Sequence, residues 1–446
     1  MIDLGRYHQR LRGSDPVQLS GDVTRVVGLS VIASGPAVPV GDLCRISGPT
    51  GSQLALTVGF REGEMLLQPL GTITGIRPGD RVEALGRGLE IPVGPGLVGR
   101  VIDGVGNPID GKGPIPGRAR RAVEGQPPPA LSRRPIGTVL ETGFKVIDTV
   151  FTVGKGQRMG IFAGSGVGKS VLLGELARNA SADINVIALV GERGREIGEF
   201  VGKILGPEGL ARSVVIASSS DRPAVERVVA AQAAHAVAEH FRDTGLDVLL
   251  MMDSVTRLCH GQREIGLSAG EPPTVRGYPP SAFAMLPTLL ERAGTSEHGS
   301  ITAFYTVLMD ADEDADPVAD NVRAILDGHL FLSREMAGRA IYPAIDLARS
   351  VSRLIVDLVP ENEHRLSLRA RELWGEYERV RDLVEIGAYE QGTNATVDQA
   401  IACHPRLVAF VKQEMGLRLE RAESLELLRS ALGQAAFSPM GEGAEA

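Results

Sequence analysis

Between residues 159 and 177 the chain runs from an apolar stretch (Met159, Gly160, Ile161, Phe162) through Ala163-Gly164-Ser165-Gly166-Val167-Gly168-Lys169-Ser170 into Val171-Leu172-Leu173-Gly174-Glu175-Leu176-Ala177. Strand, glycine-rich turn and helix in that order make a P-loop. Its glycines let successive backbone N–H groups curl around phosphate oxygens, and the helix N-terminus behind them adds a positive dipole. In this motif the lysine, Lys169, reaches the β- and γ-phosphates, and Ser170 holds Mg²⁺. Gly164, Ser165, Gly166, Val167, Gly168, Lys169, Ser170 and Val171 are therefore the expected nucleotide-binding residues, with ATP and Mg²⁺ as the expected ligands. One position departs from the written motif, because Ala163 stands where its first glycine would be.

A P-loop belongs to an α/β fold, and the rest of the chain has room for more. With 446 residues, two to four domains are expected. A hydrophobic content of 43% and a charged content of 23% describe a globular chain. The net charge of −8 argues against general nucleic-acid binding by the surface. The sequence shows neither an apolar run long enough to span a bilayer nor a signal peptide. Cys44, Cys259 and Cys403 are far apart, without a C-x-x-C pair, which suggests neither disulfides nor zinc and fits a reducing cytoplasm.

Texture divides the chain into four parts. Residues 1–17 place Arg6, His8, Arg10 and Arg12 among Leu4, Tyr7 and Leu11. They read either as a short basic amphipathic helix touching a membrane or partner, or as a frayed terminus. Residues 18–92 carry short strand-like runs (Val23 to Val27, Leu43 to Ile46, Leu54 to Val58, Glu64 to Leu67) parted by glycine turns, the pattern of a small β-barrel. Residues 93–360 include the Pro127-Pro128-Pro129 connector and then alternate strand with helix. The continuous apolar runs Val186 to Val190, Val214 to Ala217, Val248 to Met252 and Ile301 to Val307 imply a mostly parallel sheet covered on both faces. Residues 361–446 read as a helical domain ending in a small polar tail (Gly441 to Ala446).

Two carboxylates stand out at strand ends. Asp253 closes the run Val248 to Met252, the place of a Walker B aspartate that steadies Mg²⁺. Such an Asp is commonly only a cap, and the upstream P-loop gives it the functional reading. Glu192 follows Val190 in Gly191-Glu192-Arg193-Gly194-Arg195-Glu196, where a carboxylate beside the phosphates polarises attacking water. Spacing alone reads it equally well as one more solvated charge. Cys259-His260 reads as local packing rather than a thiol nucleophile. The acidic run Asp310, Asp312, Glu313, Asp314, Asp316 lacks the glycine and terminal glutamate of a calcium loop and reads as solvated.

The order of these motifs closely resembles that of type III secretion ATPases, themselves related to the catalytic subunit of rotary ATP synthases. The likeness is carried by Gly156-Gln157-Arg158-Met159-Gly160 through Ser170, by Gly191 to Glu196, and by Asp253-Ser254-Val255-Thr256-Arg257. It continues through Gln262-Arg263-Glu264-Ile265, Gly277-Tyr278-Pro279-Pro280-Ser281, Leu289 to Gly294, Ile325 to His329 and Tyr342-Pro343-Ala344-Ile345-Asp346. It runs from about Gly21 to at least Arg353, more weakly beyond. Phe162 to Ser170 and Thr24-Arg25-Val26-Val27-Gly28-Leu29 look most like the flagellar export branch.

The resemblance implies a RecA-like core with an N-terminal barrel and a C-terminal helical domain. It implies that Glu192 orients water, that Arg193 lies near the γ-phosphate, that Tyr342 stacks on adenine, and that Arg353 is an arginine finger entering a neighbouring subunit's site. Non-catalytic subunits of rotary ATPases have glutamine where this chain has Glu192, which argues against a nucleotide-binding scaffold without turnover. A homohexamer follows, at the cytoplasmic face of a secretion gate and peripheral to the inner membrane. Its implied partners are a stator-like regulator, a central-stalk-like protein, export gate membrane proteins, export chaperones and substrates. The ATPase of a virulence injectisome has the same chemistry and different cargo. An RNA translocase of the Rho type would need a basic, aromatic-bearing barrel, and the N-terminal region here is poor in aromatics.

Overall fold

The computed structural model describes residues 19–309 and 316–433. The N-terminal runs form strands β1 (Ser20–Val27), β2 (Ser30–Ala33), β3 (Asp42–Gly48), β4 (Gly51–Arg61), β5 (Glu64–Pro69) and β6 (Arg81–Gly88), closed into a barrel in the order β1-β2-β5-β4-β3-β6. Closure leaves no free edge. Alternation turns Cys44 and Ile46 inward and Arg45 outward, and Val23, Val31, Met65, Leu67 and Val82 complete the barrel core. The β4–β5 hairpin turns on Glu62 and Gly63, both with positive φ (53° and 82°), the backbone of a two-residue type I′ turn.

The second layer system is an open sheet. Its strands are β7 (Arg100–Ile102), β8 (Arg158–Ala163), β9 (Ile184–Glu192), β10 (Ser213–Ser219), β11 (Asp247–Asp253), β12 (Ser300–Leu308), β13 (Gly328–Leu332) and β14 (Val351–Ser352). They lie in the order β14-β13-β8-β12-β11-β9-β10-β7, with the short strand Gly294–Thr295 beside β12. From β13 to β7 every pairing is parallel, and β14 is antiparallel. The unbroken apolar strands are explained by their neighbours. Val186, Ala188 and Val190 face one core and Ile187 and Leu189 the other, so neither face tolerates a polar alternation.

One face is covered by helix α2 (Ala224–Asp243), through Val228, Val229 and Val237, and by α3 (Val255–Ala269), through Leu258 and Cys259. The other is covered by the helix that follows the P-loop, α1 (Lys169–Asn179), through Leu172, Leu173 and Leu176. The C-terminal helices α5 (Glu361–Glu385), α6 (Ala395–Val411) and α7 (Arg421–Ala431) join this second core, with Leu366, Trp374, Leu407, Phe410 and Leu428. The helical domain is thus packed on the P-loop side of the sheet. Helix α4 (Pro317–Ile325) starts at Asp316, whose carboxylate accepts the N–H groups of Val318 and Ala319 as an N-cap. Residues 1–17, 310–315 and the tail 441–446, singled out in the sequence, lie outside the described residues.

Candidate active site

Strand β8 ends at Ala163, and the chain then turns over Gly166 (φ 80°) and Gly168 (φ 89°) into α1. The left-handed backbone that demands glycine falls on those two residues, not on Ala163, which still sits in the ladder opposite Leu332 and Leu308. The departure from the written motif therefore costs the loop nothing. Gly164 differs from both: a Cβ there would meet the Arg334 guanidinium, which would have to move aside. Arg334 opens the helix Arg334–Gly338 and was not singled out by sequence. Val167 is buried and anchors the loop, while Ser165 and Gly166 face solvent.

The phosphate end gathers residues from four adjacent strands, β8, β12, β11 and β9, at their C-terminal edges. Lys169, just beyond β8, contacts the Asp253 carboxylate at the end of β11 and lies 3.9 Å from Glu192 Oε1 at the end of β9. Thr306 on β12 donates its hydroxyl to Asp253 Oδ1 at 2.8 Å. Asp253 is buried, and Lys169 and Glu192 expose only 11% and 14% of their side chains.

Glu192 is the unusual member. Burial first, then the nearby Asp253 charge, pushes its carboxyl up to about 7, against the opposing pull of Lys169, with Glu196 adding a further push upward. Its Oε1 is buried with no hydrogen-bond partner among the described residues. A half-protonated carboxylate with a free acceptor oxygen can take a proton from water at neutral pH.

Ser170 lies in the first turn of α1 beside Lys169. A hydroxyl and a carboxylate are the hard-oxygen donors that suit Mg²⁺. Among the described residues no group of three or more His, Cys, Asp or Glu could hold a metal by itself.

A second recess, where the resemblance expects the base, lies on the far side of the loop. A cleft of about 640 Å³ runs from Gly166, Val167, Gly168 and Val171 to Tyr342 and Pro343, with Phe144 and residues 412–415 closing it. The Tyr342 ring comes within 3.4 Å of where a Gly168 Cβ would be, is 44% exposed, and is tethered by its hydroxyl to Ala337 O at 3.4 Å. Residues 412–415 come from the helical domain, and no local motif marks them in the sequence.

Two expected residues stand apart. Arg193 precedes the short helix Gly194–Glu199, exposes 80% of its side chain and pairs with Glu196 at 3.1 Å. The structure does not bring it to the phosphate end, because the chain turns outward immediately after Glu192. Arg353 follows β14, whose Ser352 pairs with Gly328 at the start of β13. That is the N-terminal edge of the sheet, about 13 Å or more from the P-loop at roughly 3.3 Å per strand residue. Its N–H donates to Asp327 O at 3.0 Å and its exposed guanidinium to Arg323 O at 3.3 Å. Arg353 cannot serve its own chain's site. The Cys259 thiol is fully buried and pushed up to about 12, chiefly by desolvation, so the Cys259-His260 pair is packing and not a nucleophile.

Comparison with known proteins finds matches to each of the three parts of the fold. Residues 143–352 match the nucleotide-binding domain of the ATP synthase alpha/beta family, residues 23–86 the beta-barrel domain of that family, and residues 359–430 the T3SS EscN ATPase C-terminal domain. The flagellum-specific ATP synthase of Bacillus subtilis (strain 168) is 48% identical over 423 residues, 94% of this chain and 97% of that one. The type 3 secretion system ATPase of Xanthomonas euvesicatoria is 49% identical over 412 residues, 92% of this chain and 93% of that one. The structure of the assembled ATPase EscN from enteropathogenic E. coli superposes with a TM-score of 0.88 at 40% identity, over 92% of this chain and 100% of that one. The same ATPase in complex with its central stalk EscO superposes with a TM-score of 0.85.

Proposed function

The chain belongs to the ATP synthase alpha/beta family, in its type III secretion branch, and is an ATP-hydrolysing enzyme of type III export; we propose that its Glu192 carboxylate takes the proton of the water that attacks the γ-phosphate. The observation that carries this reading is the buried, unpartnered Glu192 Oε1 on a carboxyl raised to about 7, 3.9 Å from Lys169. The amides of Gly164 to Gly168 and the Lys169 ammonium hold the phosphates, and Tyr342 stacks on the base. Ser170 and Asp253 would hold Mg²⁺ together with the nucleotide, and the ion would supply positive charge against the phosphates.

Arg353 acts on the site of the next subunit. Its place at the opposite sheet edge and its exposed guanidinium support a head-to-tail contact, and repeated head-to-tail contacts close into a ring. A homohexamer is the ring we assign, in line with the assembled EscN relative, and a central-stalk-like protein is its axial partner. Flagellar export is the branch we favour, on the runs Phe162 to Ser170 and Thr24 to Leu29; injectisome relatives match at comparable identity. The stator-like regulator, export gate, chaperones and substrates belong to the same reading, as does a cytoplasmic ring lying peripherally on the membrane. Among the described residues no helix is long and apolar enough to cross a membrane.

Steady-state MgATP turnover of Glu192→Gln tests the base. The variant should bind nucleotide as the parent does and lose turnover by about 10²-fold or more. Retained turnover would remove Glu192 from the mechanism.

A further inference from the structure

The helical domain reaches the nucleotide cleft through one short segment, residues 412–415, just after α6. What holds that segment is a set of hydrogen bonds that mostly cross between domains. Gln413 N–H donates to Tyr342 O at 2.8 Å. Its side-chain Oε1 accepts the Lys145 N–H at 2.9 Å. Its Nε2 donates to Gly143 O and to Leu417 O, each at 2.7 Å. Lys145 Nζ donates to Lys412 O at 2.8 Å. Further along, Gly416 N–H donates to Glu175 Oε2 at 3.1 Å, and Glu175 is a buried residue of α1, the helix that begins at the P-loop lysine.

We propose that Gln413 is a positioning residue for the base end of the site: by bridging Gly143 and Lys145 to Tyr342 and Leu417 it holds residues 412–415 as a preformed wall facing Tyr342, with Glu175 as the second anchor. The proposal rests on the reading of the cleft as a nucleotide site. Both N–H donors of the Gln413 amide are committed, and its Oε1 already accepts from Lys145, so it has no donor to spend on a base edge. It acts through the segment it places. A slot held open before binding spares the nucleotide the ordering of that segment, which raises affinity without touching the reacting atoms. Uniform binding of this kind appears in KM and leaves kcat alone. It also appears only for ligands that carry a base.

The test is calorimetric binding of ADP and of inorganic tripolyphosphate to the full chain, with kcat and KM for MgATP, in Gln413→Leu and Gln413→Glu. Tripolyphosphate reaches only the phosphate end. In Gln413→Leu, ADP should weaken about tenfold and KM should rise by a similar factor. Tripolyphosphate affinity should stay as in the parent, and kcat should stay within about twofold. Gln413→Glu keeps the acceptor for Lys145 and loses both amide donations, so it should weaken ADP as well; it carries the test if the leucine variant fails to fold. Unchanged ADP affinity overturns the proposal. So does a matching loss of tripolyphosphate affinity or a fall in kcat, because the change has then reached the phosphate end. A parent chain that neither binds ADP nor hydrolyses ATP contradicts the nucleotide reading itself, a different result from either of these.

Discussion

The proposed phosphate end of the cleft is carried on four neighbouring strands of one sheet and the turn that follows β8, whereas the proposed base end is assembled from Tyr342 and a segment of the helical domain at residues 412–415. At the phosphate end Thr306, Asp253 and Glu192 are placed by strand register and Lys169 by the turn into α1, and they contact one another at short range. At the base end the wall depends on hydrogen bonds between domains, such as Gln413 to Gly143 and Gly416 to Glu175. The first end is rigid by construction and sets the chemistry. The second is only as well placed as the packing of α5, α6 and α7 on the P-loop face. Substitutions at the two ends should therefore be separable, the one in kcat and the other in KM.

The largest effect is expected outside both ends. Arg353→Ala should lower turnover by about 10³-fold or more while the melting curve stays close to that of the parent, since the residue is exposed. A fall of only a few fold would mean that the finger contributes little. Next comes the pH dependence of the phosphate end. A carboxyl raised to about 7 is protonated below that pH and cannot accept a proton there. In the parent, kcat/KM should fall roughly tenfold per pH unit below about 7 and flatten above it, and in Glu192→Gln that slope should vanish. A profile with the same slope in both proteins would assign the titration to another group.

Tyr342→Ala should act at the base end alone, with KM rising roughly tenfold and kcat nearly unchanged, the usual scale for loss of one base–aromatic stack. A loss confined to kcat would break the contrast between the ends. The smallest effect is expected from Ala163→Gly, which restores the written motif. Turnover should not improve, and stability should drop by about 0.5–1 kcal/mol from a glycine in a strand, read by chemical denaturation.

The same contrast explains what could be read from the chain. The P-loop and the candidate Walker B aspartate are legible because each sits where an apolar strand stops, a boundary that local pattern marks, whereas Glu192 stands at such a boundary too but takes its role only from the resemblance. The doubly covered sheet is legible in runs such as Val186 to Val190, and the barrel in its glycine-parted short strands. For Arg193 a resemblance carries residue identity but not side-chain placement, and here Arg193 is exposed and pairs with Glu196. Arg334 and Gln413 escaped notice because their meaning lies in contacts with Gly164 and with Gly143 and Lys145, far away in sequence. No spacing rule reaches across two domains.

The central claim is that each site is completed by the neighbouring chain, and subunit mixing tests it most directly. Arg353→Ala and Glu192→Gln proteins should each be nearly inactive alone. Mixed in equal amounts, about one interface in four would pair an intact glutamate with an intact finger, so MgATP turnover should reappear on mixing. Turnover in the mixture no greater than the sum of the two separate proteins, or an Arg353→Ala protein as active as the parent, would contradict a shared site.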